Sequence, residues 1–178
     1  MLKRNNQDAI SADYRKRAEL SQGYPILLRN KVEMVTINNA QLFLSACEKG
    51  LLEIKKRTFE NALIQIHSVH APIGKDNNLI AFNSKVRKQT VKRCKRLIYN
   101  LSIAGVGIMV FHIGSIENER HQSAAFSIGI DSLYNLVDAA EEYKVILALE
   151  NEPPDFGDNF PRSLCSNSQI LLKFLEKI

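Results

Sequence analysis

Three apolar, strand-like runs each end on a side chain able to bind a metal: IQIHSVHAP on His70, VGIMVFHIG on His112 and VILALEN on Glu150. The intervals are 42 residues (70 to 112) and 38 residues (112 to 150). Each leaves room for one crossover helix, because a strand, helix, strand unit between parallel neighbours takes about 30 residues or more. Such a repeat belongs to an α/β chain with a parallel sheet, and the predicted fold class is a (β/α)8 TIM barrel. Barrels of this kind assemble their chemistry at the C-terminal ends of the strands, so the three polar tips are expected to converge on one face.

Alternation inside the runs agrees with a packed interior. Ile64, Ile66, Ser68 and His70 read as one column, Val106, Ile108, Val110 and His112 as a second, and Ile146, Ala148 and Glu150 as a third. Each column is apolar along its length and polar at its tip, as where a filled barrel gives way to a mouth. Met109, Phe111, Leu147 and Leu149 then face the helices.

Length sets a limit. A complete barrel takes about 250 residues and rarely fewer than about 200, whereas this chain has 178. Residues 1–31 read as a poorly defined N-terminal segment with a helix near Ala12–Ser21, a Gly-Tyr-Pro break at 23–25 and no evident first strand. From Val32 the pattern is regular. VEMVTIN is a strand, Ala40–Phe59 a helix interrupted by Gly50, and ALIQIHSV a strand. After the loop APIGKDNNLIAFN, Ser84 caps a helix that Gly105 stops after Ala104. IENERHQSAAF is expected to be a loop. Ser127 or Asp131 then opens a helix with Ile130, Leu133, Val137 and Ala140 on its core stripe. The Pro-rich NEPPDFGDNFPRS follows VILALEN, and SQILLKFLEKI is a helix running off the end. The expectation is a single partial domain over 1–178 covering about strands two to five. It would be the front part of a truncated or split metalloenzyme whose open strand edges invite a second copy or a completing chain.

Composition narrows the class. With 45% hydrophobic and 24% charged residues the chain has enough apolar material for one core. Cys47, Cys94 and Cys165 are odd in number and without a CxxC pair, which argues against a disulfide framework and a thiolate zinc site and for a reducing cytoplasm. No signal-peptide h-region and no run of about 18 apolar residues is present, so no membrane partner is expected. The net charge of +5 is concentrated in KVRKQTVKRCKRL. There Val86, Val91, Cys94, Leu97 and Leu101 share a helix face and leave Arg87, Lys88, Lys92, Arg93, Lys95 and Arg96 on the other, a solvated basic face.

A divalent ion needs ligands from separate elements, held about 2.0–2.2 Å from it for imidazole nitrogen or carboxylate oxygen on zinc. Any one strand-end His or Glu is more often a satisfied structural residue. Three at matched positions on successive strands point to a metal or catalytic role for His70, His112 and Glu150. His67 lies in the opposite column and His121 in a polar segment, so both read as non-ligands. Glu33, early in the first clear strand, projects toward the same mouth or to solvent.

In order and spacing, VEM, SVHAP, FHIGS and ALEN over residues 32–151 resemble the xylose-isomerase-like metal-dependent barrels, which include sugar isomerases and epimerases and the endonuclease IV type of abasic-site nucleases. The resemblance implies a TIM barrel with divalent zinc, manganese or magnesium at its C-terminal face. It implies Glu150 as a metal ligand in both branches, and His70 and His112 as metal ligands in the nuclease branch or substrate contacts in the isomerases. Glu33 and Asn151 are the implied substrate-binding residues. Two departures stand out: His112-Ile113-Gly114 replaces the usual His-Pro-Gly, and the later Asp, His and Glu ligands have no counterpart. The expected function is a metal-dependent sugar or sugar-phosphate isomerase or epimerase. The alternatives are a zinc phosphodiesterase acting on abasic DNA, or an inactive half-barrel with vestigial ligands.

Overall fold

The computed structural model describes residues 10–12, 34–38, 40–56, 65–152 and 162–178. Its main sheet is parallel and five-stranded: β1 (Ile10–Ala12), β2 (Met34–Ile37), β3 (Gln65–His70), β4 (Ile108–Phe111) and β6 (Ile146–Leu149), each strand beside the next in the chain. A two-stranded antiparallel ribbon joins β5 (Ser115–Ile116) to β7 (Arg162–Ser163). The first strand missing from the sequence reading is therefore present, paired with β2 through Ile10↔Val35, Ser11↔Thr36 and Ala12↔Ile37. Its three residues carry too short a pattern to stand out. Ala12 closes that strand, and the rest of the helix expected near Ala12–Ser21, like the break at 23–25, lies outside the described residues.

Among the described residues, five α-helices accompany these strands: α1 (Gln41–Ser45), α2 (Glu48–Lys55), α3 (Ser84–Ala104), α4 (Gln122–Tyr143) and α5 (Ser168–Leu175). The interruption expected at Gly50 falls instead at Ala46 and Cys47, whose extended backbones separate α1 from α2. Asn83 rather than Ser84 caps α3, its Oδ1 accepting from the Lys85 and Val86 amides at 3.0 and 3.3 Å. Gly105 closes α3 in the left-handed region at φ 76°, a conformation that costs glycine little. The segment expected as a loop before Ser127 is instead β5, a 3-10 turn at Glu119–His121 and the first turn of α4. The last helix ends at Leu175, within the chain.

Helix α3 packs against both α2 and α4. Leu97, Ile98 and Leu101 of α3, Leu133 and Leu136 of α4, Met109 and Phe111 of β4, and Phe43, Leu51 and Phe174 are all buried, so the core lies between the helices and the outer sheet face. Ile130 and Val137 of the expected α4 stripe are half-buried. The inward columns need a correction in β3. Val35 lies opposite Ile66, but Thr36 lies opposite Ser68, a one-residue slip that skips exposed His67. A bulge reverses the alternation that follows it. Ile66 therefore shares the helix-facing side with Val35, while Ser68 joins Thr36, the two hydroxyls 2.9 Å apart.

Buried polar groups tie the elements together. Asn100 of α3 donates from Nδ2 to the Phe43 carbonyl at 2.5 Å. Ser132 of α4 donates to the Leu79 carbonyl at 2.7 Å, fixing the loop after β3. The basic run is not wholly solvated: Arg87 donates to the Ala81 carbonyl at 2.5 Å and Arg93 to the Asp76 carbonyl, holding the same loop.

Asn100→Leu leaves the Phe43 carbonyl buried and unpaired, and urea unfolding should show a loss of about 1–3 kcal/mol. A second expectation concerns the thiols. All three cysteines are free, Cys47 exposed and Cys94 and Cys165 buried. Burial pushes Cys94 up to about 12, against a smaller lowering by Arg93. A thiol reagent at pH 8 should therefore titrate one equivalent rapidly in the native protein and two more only after denaturation. Three rapid equivalents would contradict the packing around Cys94 and Cys165.

Candidate metal centre

The ladder around β4 sets the site. Val69 and His70 lie opposite Met109 and Val110, and Met109 to Phe111 lie opposite Leu147 to Leu149. Beyond the last strand residues the pairing continues, with the Ala71 amide donating to the Val110 carbonyl at 2.7 Å and the Glu150 amide to the Phe111 carbonyl at 3.0 Å. His112 and Glu150 thus emerge together at the strand ends, beside His70.

Their side chains converge. His70 Nε2 is 2.9 Å from Glu150 Oε2 and 3.0 Å from His112 Nε2, and His112 Nε2 is 3.6 Å from the same carboxylate oxygen. One candidate ligand atom from each residue lies within 4.8 Å of the others. The imidazoles are tilted by 32° with centroids 4.7 Å apart. His70 is buried and His112 nearly so, whereas the Glu150 side chain is 47% exposed.

The other ring nitrogens are committed. His70 Nδ1 is 3.0 Å from the Ala71 carbonyl oxygen, which only accepts, so Nδ1 carries the hydrogen and Nε2 a lone pair. His112 Nδ1 is buried and stands 3.0 Å from Glu152 Oε1, a carboxylate that favours a hydrogen on Nδ1 and so the same tautomer. Two nitrogen lone pairs and one carboxylate oxygen therefore face a common point. A single proton satisfies one pair of these three acceptors, and a metal ion satisfies all of them. Ligands about 2.0–2.1 Å from a tetrahedral zinc sit about 3.3 Å apart, which the observed 2.9, 3.0 and 3.6 Å bracket.

Of the other residues singled out in the sequence, Asn151 is exposed immediately after Glu150, and Glu33 lies outside the described residues. His67 is exposed on β3, and His121 packs its ring 5.2 Å from that of Phe82; neither joins the cluster.

Glu152 was not anticipated. Its carboxylate is buried, and burial alone would raise its pKa. The interactions with His112 and Ser163, together with the charges of His112 and His70, outweigh that effect and leave it below the ordinary value. The available signal was a second Glu two residues after Glu150, which the following prolines disguised as loop. Cys165, close enough to feel the Glu152 charge, is pushed up to about 12, chiefly by burial, and stays a neutral thiol rather than a thiolate ligand.

The departure at Ile113 is absorbed locally. Ile113 is fully buried, and Gly114 adopts φ 118° where an added Cβ would fall 2.1 Å from Asn78 Oδ1. Asn78 in turn donates to the Ser115 carbonyl at 2.8 Å. A glycine turn braced by Asn78 thus guides the chain away from His112 where the family pattern has a proline.

Comparison with solved structures gives the same architecture. A D-tagatose 3-epimerase-like protein superposes with a TM-score of 0.71 at 24% identity, covering 89% of this chain and 57% of its own. D-psicose 3-epimerase, solved in the presence of D-fructose, gives 0.76 at 12% identity, covering 95% and 58%. An IolI protein with a bound zinc atom gives 0.69 at 15%, covering 88% and 53%. The chain thus spans little more than half the length of these structures. No curated protein matches its sequence. Among the described residues, no helix is long and apolar enough to cross a membrane. A family model for the xylose isomerase-like TIM barrel matches residues 30–178, and with five consecutive parallel strands arranged as that fold requires, the chain belongs to this family.

Proposed function

We propose that this chain contributes a divalent-metal site to a sugar or sugar-phosphate isomerase or epimerase, with His70, His112 and Glu150 as its ligands. The observation that carries the reading is the convergence of two imidazole nitrogens and one carboxylate oxygen on a common point. The neighbours named as sugar 3-epimerases and the zinc-bearing IolI protein support the substrate class and the type of ion. Zinc, manganese and magnesium are the candidate ions, and zinc suits the two imidazoles best.

When bound, the ion supplies Lewis-acid polarisation of a substrate carbonyl and its neighbouring hydroxyl. The chain's own residues do the rest. The Ala71 carbonyl and Glu152 keep the Nδ1 hydrogens of His70 and His112 away from the mouth, so that Nε2 lone pairs face inward. Glu150, the most exposed member of the cluster, stands where ligand and substrate meet, and Asn151 beside it offers amide hydrogen bonds to a sugar hydroxyl. Glu33 is the proposed second carboxylate for substrate contact or proton transfer.

The two histidines also suit a zinc phosphodiesterase, in which metal-activated water attacks an abasic-site phosphate. Under that reading, incision of an abasic duplex appears with zinc and weakens steeply with salt.

Two measurements test the proposal. Calorimetric titration with zinc should show one site per chain, weakened in Glu150→Gln or His70→Ala by at least the ~10–100-fold that loss of even an outer-shell partner costs. Chromatography of D-fructose, D-psicose or D-tagatose incubated with protein and metal should show interconversion that chelator removes and Glu150→Gln abolishes. Metal binding without turnover of any ketose or ketose phosphate would leave the metal centre standing and remove the isomerase assignment.

A further inference from the structure

Behind the cluster, the two histidines are supported differently. His70 Nδ1 rests on a neutral peptide carbonyl, that of the adjacent Ala71. His112 Nδ1 faces an ionisable carboxylate, Glu152, whose side chain is only 10% exposed. That carboxylate is not adventitiously placed. Ser163, whose hydroxyl is buried, helps to hold the Glu152 pKa below its ordinary value. Ser163 is fixed by its antiparallel pairing with Ser115 and by the Leu164 amide donating to the Gly114 carbonyl at 3.1 Å. The turn that leaves His112 through Gly114 thus returns, by way of the β5–β7 ribbon, to hold the residue that supports His112. Burying a carboxylate is costly unless it is compensated, and the His112 imidazole 3.0 Å away is one such compensation.

We propose that Glu152 is a positioning residue that locks His112 in the Nδ1–H tautomer, aims Nε2 at the cation site and makes His112 the stronger of the two imidazole donors. This rests on the metal-centre reading above and extends it to a residue that touches neither ion nor substrate. A carboxylate accepting from the far nitrogen of a ligating histidine raises the basicity of the near one and fixes the ring, and removing such a partner lowers metal affinity by about 10–100-fold. A carbonyl acceptor fixes the ring with less electronic effect, so the two histidines of this site are inequivalent by construction.

The test uses the full chain with 15N-labelled histidine. Two-bond 1H–15N spectra of the metal-free protein should show His112 as the Nδ1–H tautomer in the wild type, and as a tautomer mixture in Glu152→Leu, while His70 stays unchanged in both. Zinc titration should show affinity about tenfold lower in Glu152→Gln, which keeps a neutral acceptor, and about 100-fold lower in Glu152→Leu, with far-ultraviolet circular dichroism unaltered. Should the leucine variant fail to fold, the wild-type spectrum and the glutamine variant decide alone. A wild-type His112 carrying its hydrogen on Nε2, or Glu152→Gln binding zinc as tightly as wild type, would overturn the proposal. Absence of zinc binding by the wild type would refute the metal centre itself, and the tautomer spectra would still decide the role of Glu152.

Discussion

The pairing of β4 with β3 on one side and β6 on the other is the constraint on which the site depends. Three side chains more than 30 residues apart are brought within 3.6 Å of one another because hydrogen bonds to carbonyls of β4 and of Gly107 just before it fix the register of each neighbouring strand: Ala71 on Val110, Ile146 on Gly107 and Glu150 on Phe111. A slip of one residue on either side would turn His70 or Glu150 toward the helices. The buried Met109 and Phe111 resist such a slip, because their core-facing side chains would have to exchange places with half-buried Ile108 and Val110. Burial on the helix side thus fixes chemistry on the other.

The same strand tips would be less well aimed without the loops behind them. The segment after β3 is held by Ser132, Arg87, Arg93 and Thr90, so part of the charge that looked like a free basic face is used in carbonyl contacts. This weakens a nucleic-acid role for α3, since two of its seven basic side chains are turned to the fold. Asn78 reaches across to Ser115 and closes against Gly114, joining the loops that follow β3 and β4. The neighbourhood of His70 and His112 is therefore a set of braced turns, and preorganisation of this kind lets ligands keep their geometry without an ion to hold them.

How much of this was legible in the sequence follows from the range of each interaction. The strand tips were readable because alternation and a terminal polar residue are local signals, and His70, His112 and Glu150 met as their spacing implied. The start of α4 was not, since its N-cap His121 makes no side-chain capping bond and Gln122 announces nothing. The break between α1 and α2 uses ordinary Ala46 and Cys47, while Gly50, the obvious breaker, sits inside α2 with Ala46 Cβ 3.5 Å from where its own would be. The bulge at His67 is set by pairing with β2, which a single strand's pattern does not contain. Glu152 depends on a ribbon between residues 48 positions apart, Ser115 and Ser163, and no local rule reports it.

The openness of the sheet and the openness of the site lie on the same side. Ile146 on β6 is 64% exposed, and a shallow apolar groove beside it is lined by Val137, Ala140, Val145 and Leu147. Glu150, at the tip of that strand, is the least buried of the three candidate ligands. On the side toward β3, the carboxylate is matched by two imidazoles; on the side away from it, β6 has no strand partner among the described residues. A strand laid parallel to β6 would satisfy its backbone edge, cover Ile146 and bring its own C-terminal tip next to Glu150, because neighbouring parallel strands end at the same face. A segment that closed this edge would place its own strand tip within reach of the proposed cation site. Closing the sheet and completing the metal coordination would then be one event, and the affinity of the site for its ion would add directly to the stability of the closed barrel.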